Sequence, residues 1–93
     1  MPELEVAPRF SLRLPMRYRP EGDARWRDSI TENLSTSGLR FVASETLPIG
    51  SRIEIEIEMK PSRVRAISEV VRQGSEEGPH MTAVRHCEYR LLE

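Results

Sequence analysis

Hydrophobic and polar residues alternate along much of this chain with a period of two. The clearest run is Ile53-Glu54-Ile55-Glu56-Ile57-Glu58-Met59, where every second side chain is apolar and those between are acidic. Side chains of an extended backbone point alternately to opposite faces, so the run predicts a half-buried antiparallel strand with its three isoleucines on a core. Residues 12–18, 25–32, 38–43, 63–72 and 81–86 read as five further strands. Turn chemistry separates them: Pro20-Glu21-Gly22-Asp23, Ser35-Thr36-Ser37, Leu47-Pro48-Ile49-Gly50, Lys60-Pro61 and the stretch from Gly74 to Pro79. No segment before Cys87 sustains a 3.6-residue repeat, and residues 87–93 are too few for a helix to hold unaided, so at most a short C-terminal helical turn is expected. The fold class this predicts is all-β. Six short strands in one small chain suggest an antiparallel β-barrel, because closure removes the exposed strand edges.

Composition narrows the picture. The 93 residues, 38% hydrophobic and 31% charged, suit a single domain spanning 1–93 with one modest core. No long apolar run and no basic-then-apolar leader is visible, which points to a cytoplasmic location and no membrane contact. The lone Cys87 cannot close an internal disulfide or build a thiolate metal cage, and it reads as a half-buried thiol. A net charge of −1 argues against a duplex held by counterion release, and no DNA or RNA partner is expected. The charge is unevenly spread: residues 6–27 hold six arginines against Glu21 and Asp23. Thirteen of the fourteen cations are arginine, whose planar fork suits phosphate and guanine edges and whose flat face stacks on bases.

Several features that invite chemistry have simpler readings. Glu54, Glu56 and Glu58 on one strand face stand about 7 Å apart, too far to share an ion, and read as a solvated face paired with Arg63 and Arg65. His80 and His86 show no chelating arrangement, since His86 and Cys87 point to opposite faces of a strand. No metal, no cofactor and no catalytic residue is expected, and the chain does not read as an enzyme. Trp26, between Arg25 and Arg27, could stack on a base but more simply packs on a sheet.

Thr31-Glu32-Asn33-Leu34-Ser35-Thr36-Ser37-Gly38-Leu39-Arg40-Phe41 is the least strand-like stretch. By itself it predicts a tight turn whose side chains bond their own backbone, with Gly38 at positive φ. Two spacings then stand in order. Arg9-x-x-x-Arg13 precedes Asn33-x-Ser35-x-x-Gly38 by about twenty residues, and Leu14-Pro15-Met16-Arg17-Tyr18-Arg19, Gly38-Leu39-Arg40-Phe41 and Leu47-Pro48-Ile49-Gly50 flank them. Together they resemble the PilZ family over nearly the whole chain.

The resemblance implies a six-stranded antiparallel barrel that binds the bacterial second messenger cyclic di-GMP, with residues 1–13 as a flexible N-terminal arm. It also implies the ligand-binding residues: Arg9 and Arg13 on phosphate or guanine, Asn33 and Ser35 on a guanine edge, and Gly38 giving the ligand room. Arg72, remote in sequence, serves as a reference position expected to lie outside the site. A partner protein would read the ligand-bound surface. If Leu14-Pro15 sets the register, Arg9 takes the second arginine's place and Glu5 the first; the domain would then be an adaptor that binds proteins and not the nucleotide.

Overall fold

The computed structural model describes residues 13–75 and 78–92, all strand, turn or coil. Six strands follow one another: β1 (Pro15–Pro20), β2 (Arg27–Leu34), β3 (Gly38–Val42), β4 (Arg52–Met59), β5 (Ser62–Ser75) and β6 (Gly78–Leu92). All pairings are antiparallel, and the order β1-β2-β3-β6-β5-β4 closes on itself as a barrel, as the alternation predicts. No helix of the described residues is long and apolar enough to cross a membrane.

The barrel closes because five of its strands turn an apolar face inward, while β2 contributes buried Thr31 and partly buried Leu34. Ile53, Ile55 and Ile57 of β4 are buried as expected, and Met16 and Tyr18 of β1, Leu39 and Phe41 of β3, Val70 of β5 and Val84 of β6 meet them. The Tyr18 and Phe41 rings sit 4.8 Å apart in a tilted pair, and side chains of this size each stabilise by about 1.5–3 kcal/mol when fully buried. The Tyr18 hydroxyl donates to the Glu45 carboxylate at 2.5 Å and accepts from the Ser44 backbone N–H at 2.8 Å. Burial together with that carboxylate raises the phenol above its ordinary value.

Residues 87–92 form no helical turn, within the fold class expected; β6 continues through them, paired with β5 from Ile67↔Glu88 to Arg63↔Leu92. A long neighbour supplies the backbone partners that seven residues cannot supply to themselves as a helix. Three expectations need correction. Cys87 lies on that extension and is exposed, not half-buried. Glu56 is not solvated: only 4% of it is exposed, because Arg17 of β1 and Arg65 of β5 flank it in register and close over it. Arg17 Nε reaches Glu56 Oε1 at 2.9 Å, Arg65 Nε reaches Oε2 at 3.0 Å, and Arg63 stands 3.6 Å away. Burial would raise this carboxyl, but the bonds from Arg65 and Arg17 outweigh it and hold it below its ordinary value. Finally, Gly38 does not have positive φ; the positive-φ glycines are Gly22, Gly50, Gly74 and Gly78.

Candidate nucleotide-binding site

The bend between β2 and β3 is built by Ser35. Its backbone N–H donates to the Gly38 carbonyl at 2.9 Å, and its Oγ accepts from the N–H groups of Ser37 and Gly38, both at 3.3 Å. The Ser37 carbonyl accepts from His86 N–H at 2.9 Å, which ties the bend to β6. Gly38 is required by that close approach: a Cβ there would stand 2.1 Å from the Val84 carbonyl oxygen, across the Gly38↔Arg85 pairing. Its small size serves this close approach of β3 to β6, where the sequence suggested a positive φ.

Asn33, Ser35 and Gly38 are brought together on the wall of one shallow concavity of about 340 Å³. Three arginines that sequence reasoning missed stand on the same wall, Arg40 from β3, Arg72 from β5 and Arg85 from β6. Arg72 is therefore no reference position but part of the candidate site. Register explains the gathering: Arg85 faces Gly38, while Ala83 faces both Arg40 on one side and Arg72 on the other. Arg85 also pairs with Glu69. Among the described residues the side chains of Asn33 and Arg72 make no hydrogen bond or ion pair, so an amide and a guanidinium line the concavity without a described partner. This is a surface for an anion bearing hydrogen-bonding edges.

Arg13 does not line the concavity. It is exposed and stands 3.5 Å from the carboxylate of Glu32, the β2 residue just before Asn33. Arg9 and Glu5 lie outside the described residues. Trp26 lies ahead of β2, half-buried, and packs against β1: the Arg17 and Arg19 guanidinium carbons stand 4.3 and 4.4 Å from its ring centre. Two arginines already occupy this ring, in keeping with a sheet-packing role and not a stacking platform. Among the described residues no three His, Cys, Asp or Glu side chains gather closely enough to hold a metal ion.

The described residues thus form a closed β-barrel with a shallow concavity on its outer side, to whose wall three arginines contribute. The model of the PilZ domain family matches residues 5–92, and the chain belongs to that family. PilZ is a family of binding domains whose known role is to bind cyclic di-GMP. No curated protein is significantly similar to the chain.

Proposed function

We propose that this domain is a cyclic di-GMP receptor. One guanine edge lies on Asn33 and Ser35, Arg72 and Arg40 face the ligand's phosphates, and Arg9 and Arg13 close over it from the N-terminal arm. The observation that carries the reading is the Asn33 amide beside the Arg72 guanidinium in one concavity, neither with a side-chain partner among the described residues. At about 340 Å³ the concavity is at the small end for ligand sites, so it cradles part of a dinucleotide and leaves the rest to the arm. Position supports the arm's role. Arg13 already stands beside β2 one residue from Asn33, and the four-residue tether back to Arg9 spans at most about 14 Å. A partner protein reads the rearranged surface, an ordering switch of a familiar kind.

Titration calorimetry of the full chain with cyclic di-GMP tests this. One charged hydrogen-bonding partner contributes about 1.5–3 kcal/mol, so Arg9→Ala and Arg72→Ala should each weaken binding about ten- to a hundredfold. Arg52→Ala, at the start of β4 outside the concavity, should leave the affinity unchanged. Equal losses in all three contradict the site.

A second reading has its own support. Ile30 on β2 and Val42 on β3 are both exposed, at 45% and 51%, and an apolar surface of this kind suits the docking of a protein. In that reading the domain is an adaptor indifferent to the nucleotide, and calorimetry would register no heat at high micromolar ligand.

A further inference from the structure

β6 runs past its neighbour on one side. β3 pairs with it only as far as Gly38↔Arg85, and the His86 N–H closes that ladder on the Ser37 carbonyl at 2.9 Å, whereas β5 stays beside β6 out to Arg63↔Leu92. Among the described residues, 88–92 therefore have one paired and one unpaired backbone edge. An unpaired edge is a template for a further strand.

The side chains decide which strand the edge accepts. The register of β6 on β5 shifts after Ser68↔His86, with Ile67 next facing Glu88, so Cys87 is an extra residue and the strand's alternation reverses phase there. Before it Thr82 and Val84 are buried; after it Tyr89 stands across from buried Ala66, and Leu91 across from Val64. Directly opposed residues share a face, so Tyr89 and Leu91 lie on the inner side of the sheet, yet they are 56% and 60% exposed. Glu88 and Arg90 take the outer side. Neither meets its opposite charge within the barrel: Arg90 stands across from Arg65, which is already paired with Glu56, and Glu88 stands across from Ile67. Among the described residues neither enters an ion pair.

A second copy of the same segment supplies what both lack. Laid antiparallel about a twofold axis at Tyr89, it sets Glu88 against Arg90 of the second copy, Arg90 against its Glu88, and the two Tyr89 rings side by side. Moving the axis to Arg90 or to Glu88 puts like charges directly opposite. Placing it between two residues sets the apolar side of one strand against the charged side of the other. The Tyr89 register alone among these joins both charge pairs and both apolar sides. His86 of each copy is already bonded to its own Ser37, which limits the pairing to residues 87–91 and keeps the contact small and the association weak.

We propose that two copies of this domain pair edge to edge through residues 87–91 of β6, with Tyr89 on the twofold axis. The pairing needs no nucleotide and is tested without one, so it stands or falls separately from the receptor reading.

The test is sedimentation equilibrium of the full chain and two single variants, Glu88→Arg and Arg90→Glu, with no ligand. The natural chain should pass from monomer to dimer as its concentration rises toward millimolar, and its amides at 88–90 should gain exchange protection over the same range. Each variant should dimerise at least about tenfold more weakly, since both cross-strand charge pairs turn from attraction to repulsion. An equimolar mixture of the two variants should recover the dimer, because two arginines of one chain then face two glutamates of the other. That recovery also shows that both variants are folded. A natural chain that stays monomeric at millimolar concentration overturns the proposal, even if its overhang is protected, since another segment would then cover it. So does a dimer that survives both single variants, or a mixture that dimerises no better than its components.

Discussion

Gly38 shows how a residue's reason can differ from its appearance. A glycine in a Ser/Thr-rich bend suggests positive φ, yet here the backbone is one any residue adopts and the constraint is the Val84 carbonyl, 2.1 Å from where a Cβ would sit. Gly38→Ala must push β3 away from β6, and overpacking of this kind costs about 1–3 kcal/mol. Thermal unfolding should show a clear fall in Tm, while Gly22→Ala, limited to turn strain with open space around it, should cost less. His86 offers a second test. Burial holds its imidazole below the ordinary value, and its Nδ1 lies 2.8 Å from the fully buried Ser68 Oγ. The unfolded chain, with an ordinary His value of about 6.5, binds more protons there than the folded one. The stability this contributes is complete above that value and is lost as pH falls from 6.5 through the folded pKa. Tm should therefore drop between pH 7.5 and 5.5, and His86→Gln should flatten the slope. A further loss below pH 4.5 belongs to Glu45 and Glu56. Burial alone would raise both carboxyls, but bonds from Tyr18 and Ser44 in one case, and from Arg65 and Arg17 in the other, hold them below their ordinary values.

At the scale of elements, the strands were legible wherever one face is apolar. Ile53, Ile55 and Ile57 marked β4 and its core face without ambiguity, because period two is a direct consequence of pleating. The ends were less legible. Glu88-Tyr89-Arg90-Leu91 alternates over only four residues, and what keeps it extended is the length of β5, a partner no local window contains. The same limit hid part of the site. Asn33, Ser35 and Gly38 announced themselves as a motif, but Arg40, Arg72 and Arg85 become neighbours only because β3 pairs with β6 and β6 with β5. Glu56 was misread for a related reason: a carboxylate on the outer face of a strand is buried only if arginines flank it on both sides, and Arg17 comes from β1. Pairing also predicts dynamics. Residues 81–85 of β6 lie between two strands and residues 88–92 beside one among the described residues. Amide hydrogen exchange should be markedly slower in the first group; equal protection would mean that another strand covers the overhang.

For the whole molecule, closure decides what the domain can do. A barrel without free edges over most of its girth presents side chains, not backbone, so recognition falls to its outer face and its rims. Here the outer face divides. Around β1 and β4 the charges are spent on one another, Arg17 and Arg65 on Glu56 and Arg19 on Glu54, with Trp26 packed beneath Arg17 and Arg19. Around β3, β6 and β5 an amide and a guanidinium have no partner among the described residues beside the bend. The receptor reading depends on that contrast, and an amide chemical-shift titration of the full chain with cyclic di-GMP tests it most directly. The account predicts saturable shifts confined to residues 33–40, Arg72, Arg85 and the arm through Arg13. Shifts centred instead on Trp26 and β4, or no shifts at high micromolar ligand, would contradict it.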